Sequence, residues 1–411
     1  MDTMTDLNPL LARLAAAGTR ITAIERPTDL AMLKASLARI RGVNANHVVA
    51  MDAFGTGLVL PEKQGPAQLI DLTGMARIID LDADYALTLV EPGVTFRQLG
   101  AEITKRLLPL SIDATVHPDV SVAAATLSRQ FGYTPYGDRV LMQCGAEVVL
   151  PGGDVVRLGM GAVPKSRTWQ MFKHNFGPYL DGLFTQSDMG VVSQLGLWLS
   201  PLPPELRALR IELDDSAAAD QLIDALRPLR TANVIAHNIA LTSAAFDRAS
   251  FGVRGSDKML LTTALTGLPK TLAVYWPMIA KIIAETPGAR MLPDDNAPEW
   301  TARKHLLAGQ VLPGAPPPVP FIDFQAPASS GILSRAHEVL GATAVEYLLT
   351  GRTLMARVLS PEDGPGLVAA AATAGFGIVS QSLEFESAAR TVRSKSALAQ
   401  VHKRLRDALY A

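Results

Sequence analysis

Leu30, Leu33, Leu37 and Ile40 recur at the three- and four-residue spacing of a helix, with Thr28 and Asp29 ahead of them as a cap, so residues 28–41 are predicted to be helical. Upstream, the apolar run 10–17, interrupted by Arg13, predicts an amphipathic helix. Short apolar runs bounded by Gly and Pro follow at 47–51, 67–71, 76–81, 86–91 and 147–150, the pattern of strands. Between them only 95–107 and 121–130 carry helix signals. That alternation argues for an α+β architecture over a doubly wound nucleotide fold. No Gly-x-Gly-x-x-Gly run follows a strand, so nothing supports a dinucleotide-type Rossmann domain.

The pattern changes after Pro201-Leu202-Pro203-Pro204, where a strand over 206–213 and a helix over 216–230 are expected. We place a domain boundary there. The Pro-rich stretch 313–320 is expected to be an extended surface connection, and residues 397–409 a closing helix. At 411 residues and 48% hydrophobic side chains, the chain can bury a large core and is long enough for two domains.

Charge narrows the partners. With 38 basic and 39 acidic residues the net charge is -1, which gives no electrostatic footprint for nucleic acid or an anionic membrane. No stretch reaches the ~18 to 20 continuous apolar residues of a membrane span. Cys144 is the single cysteine, so no internal disulfide forms, and it is expected to be a buried small hydrophobe. Histidines 47, 117, 174, 237, 305, 337 and 402 show no paired ligand spacing, which argues against a metal site. Asp2 and Asp6 stand where a secretory leader would be basic, so a cytoplasmic location is expected, or a periplasmic one if the chain is exported with a partner.

The richest local signal is Gly132-Tyr133-Thr134-Pro135-Tyr136-Gly137-Asp138, a rigid turn ending in a carboxylate. Around it, Val90-Glu91-Pro92-Gly93-Val94-Thr95-Phe96, Gln143-Cys144-Gly145-Ala146-Glu147, Gly159-Met160-Gly161-Ala162-Val163-Pro164, Thr168-Trp169-Gln170 and Phe184-Thr185-Gln186 occur in an order and spacing similar to the p-cresol methylhydroxylase (4-cresol dehydrogenase) and vanillyl-alcohol oxidase family of flavoproteins. The resemblance is dense over 76–230 and thin beyond. It implies a two-part flavin domain with an inserted α+β cap: 1–204 flavin-type, 205–376 cap, and 377–411 returning to the flavin-type domain. It also implies oxidation of para-alkylphenols by hydride transfer to FAD, with electrons passing to a cytochrome c subunit or to oxygen. Asp138 matches the carboxylate that faces incoming water in that family, a role open to an acid within hydrogen-bond reach. Phe54, Gly55, Gly57, Thr126, Gly132, Tyr133, Gly190 and Val191 match cofactor-contacting positions.

Several contacts of that family are replaced. Asp52-Ala53 stands for an Arg-Asn pair before the phosphate loop, and Asp52 would turn a negative charge toward a diphosphate. Ala124-Ala125 stands for Gly-Asn, and Gln130 for a glycine. Asp323 falls at the covalent flavin anchor, where a Tyr or His is needed, so no covalent attachment is expected. Val379-Ser380 falls on the phenolate-binding Tyr-Arg pair, and the family's C-terminal closing segment has no counterpart after Ala411. Tyr133 and Tyr136 are expected to pack with their hydroxyls hydrogen-bonded, and Arg139 to supply a counter-charge to Asp138, whose simpler role is to hold the turn.

Losses at cofactor positions beside intact fold positions lead to the expectation of a flavin-domain subunit with weak or absent FAD binding, non-catalytic itself, supporting an intact homologous flavoprotein. An active, noncovalent FAD-dependent alkylphenol or aromatic alcohol dehydrogenase is the alternative reading. A cofactor-free module binding an aromatic ligand in the vacated slot is a third.

Overall fold

The structure is a computed structural model, describing residues 6–43, 45–61, 65–135, 137–175, 177–252, 257–341, 344–393 and 397–410. Tyr136 of the central motif lies outside the described residues.

The amphipathic first helix is Asn8–Ala16, which buries Leu10 and Leu14. The helix expected at 28–41 is Leu30–Gly42, capped by Asp29 accepting from the Met32 amide. They flank a parallel sheet in the order Thr19–Glu25, Gly65–Asp71, Asn46–Ala50. Beside it lies an antiparallel five-stranded sheet in the order Ile78–Asp82, Leu87–Val90, Val191–Trp198, Gln143–Val149, Val155–Arg157. Thr95 and Gln98 form a reciprocal capping box at the start of the Phe96–Lys105 helix. The helix expected over 121–130 ends sooner, at Val122–Leu127, because Arg129 takes a left-handed φ of 59°.

After the proline punctuation the chain builds an antiparallel eight-stranded sheet. Its order is Ala289–Met291, Glu205–Leu213, Met259–Gly267, Ile239–Thr242, Val345–Leu349, Thr353–Leu359, Phe321–Pro327, Gly377–Gln381. Alternate residues face opposite cores. Ile239, Leu241, Tyr347, Leu349 and Leu354 pack under the helices Ser216–Thr231, Pro269–Glu285, Ile332–Leu340 and Gly364–Thr373. Ala240, Ala264, Leu348 and Met355 face the other way, toward the five-stranded sheet and Trp300 of the Pro298–Leu307 helix. The sheet thus separates an outer helical layer from the flavin-type layer, as an α+β cap would.

One expected boundary moves. Gly377–Gln381 pairs with Phe321–Pro327 as an edge strand, so the cap sheet continues past residue 376. The return to the first layer follows it: Glu384 pairs with Arg13, and Arg406 of the Ala397–Tyr410 helix pairs with Asp188. No helix among the described residues is long and apolar enough to cross a membrane.

The central motif is folded by close approach. Phe131 bridges Asp138, and the Gly132 amide donates to the Gly137 carbonyl at 2.8 Å, closing residues 131–138 into a loop. A Cβ on Gly132 would sit 2.0 Å from Oδ1 of Asp113. Gly132→Ala is therefore expected to displace Asp113 and destabilise the protein by about 1 to 3 kcal/mol. Thermal melts would check this: an unchanged midpoint would mean that the loop is not clamped.

Candidate functional site between the two layers

Most of the residues singled out in the sequence divide among three cavities, two of which border the central motif. Phe54, Gly55, Gly57 and Tyr133 line a cleft of about 1140 Å³, counting its open mouth. Gly57 also borders a second cavity of about 540 Å³, lined by Gly190 and Val191. Asp138 lines a third, of about 1200 Å³ on the same measure, with Arg129, Arg230 and Arg352. Thr126 faces none of them; its hydroxyl donates to the Val122 carbonyl inside its own helix. Gly132 is likewise closed off, packed on Asp113. The proline-rich connection proves to be more than a surface link, since Pro316, Pro317 and Pro318 wall the first cleft.

At the phosphate loop, Asp52 turns inward and is 3% exposed. Oδ1 accepts from the amides of Phe54 and Thr56, each at 3.0 Å, and Oδ2 from the Ser121 amide at 2.9 Å. Burial pushes its carboxyl above the usual range while the three amides pull against that shift. As folded, the loop does not fit a diphosphate: the amides that would face its oxygens already face a carboxylate. The sequence pointed Asp52 toward the ligand, whereas its carboxylate serves the loop itself.

Tyr133 reaches across the layers, donating its hydroxyl to Oε1 of Glu346 at 2.7 Å. Asp113 accepts the Tyr133 amide at 3.1 Å, and Asn238 donates to the Gly132 carbonyl at 2.8 Å. Arg139 makes no direct ion pair with Asp138, although its charge, with those of Arg129 and Lys173, pulls the Asp138 carboxyl down against burial. Its buried guanidinium donates to the carbonyls of Asp113, Phe131 and Ala114 at 2.7 to 2.8 Å. Asp138 caps the short turn Arg139–Leu141 through the Val140 amide at 3.1 Å, and burial pushes its carboxyl up.

The cap contributes a polar row absent from the sequence reading. Thr242, Glu346, Arg357, Asp323 and Ser380 are direct cross-strand neighbours on five successive strands. They share the sheet face that carries Ala240, Leu348 and Met355, so the row looks toward the flavin-type layer. Arg357 grips Asp323 with two hydrogen bonds of 2.7 Å, and Ser380 donates to the same carboxylate at 2.6 Å. At the Thr242 end, Arg303 donates to the Thr242 hydroxyl and pairs with Asp247, both ions being 2% exposed. Glu346, Arg357 and Arg303 carried no sequence signal, because each meets its partner only through strand register or across the layers. Cys144 is fully buried and its thiol is pushed up to about 11, an inert environment. No group of three or more His, Cys, Asp or Glu side chains among the described residues could hold a metal ion.

Residues 22–159 match a family model described as an FAD binding domain. The 4-cresol dehydrogenase [hydroxylating] flavoprotein subunit of Pseudomonas putida is 33% identical over 287 residues, 64% of this chain and 54% of that protein. The chain is thus similar to the p-cresol methylhydroxylase flavoproteins. The 1'-carboxy-chondrochloren decarboxylase of Chondromyces crocatus is 32% identical over 257 residues, 62% of this chain and 47% of that one. These matches span about half the length of the curated relatives. In fold, p-cresol methylhydroxylase with substrate bound superposes with a TM-score of 0.83 at 24% identity, over 97% of this chain and 90% of that one. The 4-ethylphenol oxidase from Gulosibacter chungangensis, in complex with isoeugenol, gives 0.84 at 21%, over 95% and 87%. The flavin domain and inserted cap implied by the sequence resemblance are thus the fold of p-cresol methylhydroxylase.

Two outcomes follow from these contacts. Asp323→Ala leaves the Arg357 guanidinium without its main partner and is expected to cost about 2 to 4 kcal/mol, less than a fully dry pair because Arg357 keeps some water contact. Adding Arg357→Met should recover part of that loss in a double-mutant cycle; additive losses would show that the pair is not coupled. Asp138 has a raised pKa in the fold, so its favourable contribution is fully present below its unfolded value, near 3.8, and is lost as pH rises through the folded value. Asp138→Asn keeps a capping acceptor without the charge, so it should match or exceed the wild-type melting temperature at pH 7, with the gap closing toward pH 4.

Proposed function

We propose that this chain is a flavin-domain subunit of a 4-cresol dehydrogenase-like oxidoreductase complex acting on para-alkylphenols or related aromatic alcohols. In this reading it holds FAD weakly or not at all, has no covalent link to it, and supports an intact homologous flavoprotein, with a cytochrome c subunit as a further partner. The observation that carries the reading is the polar row of the cap. Asp323, at the position expected for the covalent anchor, neutralises Arg357 and takes the Ser380 hydroxyl, while Tyr133 donates to Glu346. Groups that would otherwise face a cofactor or phenolate are joined to one another across the sheet and between the layers. A fold kept in this way preserves subunit surfaces without preserving chemistry. The name of the Pseudomonas putida relative, a flavoprotein subunit, supports the same assignment to a complex.

One observation favours a second reading, an active dehydrogenase with noncovalent FAD. Asp138 lines an open cavity and its carboxyl is pushed up by burial, as a group exchanging protons with water or substrate requires.

Purification of the chain alone should give colourless protein without a stoichiometric flavin band. Co-expression with an intact homologous flavoprotein should give a co-eluting complex whose phenol-dependent dye reduction exceeds that of the partner alone. Yellow protein that reduces dye with alkylphenols by itself, and loses that activity in Asp138→Asn, would replace this reading with the second.

A further inference from the structure

The loop over 52–57 is a backbone cradle already filled from within. Gly55 and Gly57 both adopt φ of 65°, which lets the chain fold tightly around one point. Two amides of the loop, from Phe54 and Thr56, converge on Oδ1 of Asp52. A third, from Ser121, arrives from a segment 69 residues away and meets Oδ2. Amides converging in this way, next to glycines in left-handed conformation, form a concavity that binds an anion. A carboxylate this deeply buried is costly unless it is compensated, and no arginine or lysine among the described residues hydrogen-bonds to it. The three amides and the carboxylate therefore account for each other.

Other contacts press the loop onto this anion. Leu10 of the first helix covers Gly55, where a Cβ would lie 2.6 Å from Cδ1, and Arg13 donates to the Phe54 carbonyl at 2.7 Å. On the opposite side, a Cβ on Gly57 would lie 2.9 Å from Cβ of Ser128. The loop is held on both sides, so its amides cannot turn to a second acceptor without releasing Asp52.

We infer that Asp52 is a built-in anion: its carboxylate takes the place of an external phosphate group in the amide cradle, holding the loop folded without a nucleotide and repelling one that approaches. The inference rests on the reading that this cleft has lost its flavin, and it names the residue responsible. The ligand class that Asp52 excludes is a diphosphate, free or as part of a nucleotide.

The test measures binding of inorganic pyrophosphate and of ADP by calorimetry, and their effect on melting temperature, for the wild type, Asp52→Ala and Asp52→Asn, with sodium chloride at matched ionic strength as control. The wild type should neither bind pyrophosphate nor be stabilised by it. Asp52→Ala should melt lower, because three amides lose their acceptor, and should recover with rising pyrophosphate, binding it at least about ten-fold more tightly than the wild type. If Asp52→Ala does not fold, Asp52→Asn carries the test: it keeps an acceptor for two of the amides without the charge and should gain pyrophosphate binding of the same order. A folded variant that gains no binding over the wild type would overturn the inference while leaving the proposed function intact. Wild-type protein that takes up FAD stoichiometrically would overturn the proposed function itself.

Discussion

A buried amide needs an acceptor, and around the interlayer cleft of this protein many of the acceptors are its own carboxylates. Asp52 gathers three amides from two segments, and Asp113 takes the Tyr133 amide of the central loop. Leaving such a group unpaired costs about 1 to 3 kcal/mol, a large part of the net stability of a folded domain. The loops at the cleft are therefore shaped by internal anions. Their amides are held by oxygens of the chain itself.

The same economy governs the joint between the layers. The cap sheet is buried on both faces, with Ala240, Leu348 and Met355 turned toward the flavin-type layer. Along that face the register aligns Thr242, Glu346, Arg357, Asp323 and Ser380, so a row of charges enters a buried interface. Its three charged members, Glu346, Arg357 and Asp323, alternate in sign; Arg357 and Ser380 hydrogen-bond to Asp323 and Tyr133 to Glu346, so both carboxylates are partnered, the condition under which buried charge is tolerated. Tyr133 joins the row to the central loop, and Asn238 reaches the same loop from the cap. Loop 131–138 thus joins the two layers.

Seen in that light, the intact motif and the altered cofactor positions are compatible. Gly132 and Gly137 are needed because Asp113 and Asn238 approach them too closely for any Cβ. That requirement is independent of a flavin. Asp138, by contrast, opens onto a cavity separate from the one lined by Tyr133, so the two ends of the motif serve different surroundings.

Local order was legible in the sequence where it depends on neighbours along the chain. Asp29 before Leu30, the Thr95 cap, and the apolar strands of the first layer are written in residues a few places apart. The α+β class and the family resemblance followed from such segments. The inner cap strand Glu205–Leu213 was legible after the proline punctuation, but those at Ile239–Thr242, Met259–Gly267, Val345–Leu349 and Thr353–Leu359 were not, because strands buried on both faces lose the alternation that marks a half-buried one. Asp52 announced a charge, though not its direction; only folding brought the Ser121 amide to it. Sequence alone determined which charged groups were available and which turns needed glycine. Tertiary structure decided which of those charges would cancel, since register and layer packing, not chain proximity, set the distances over which they act.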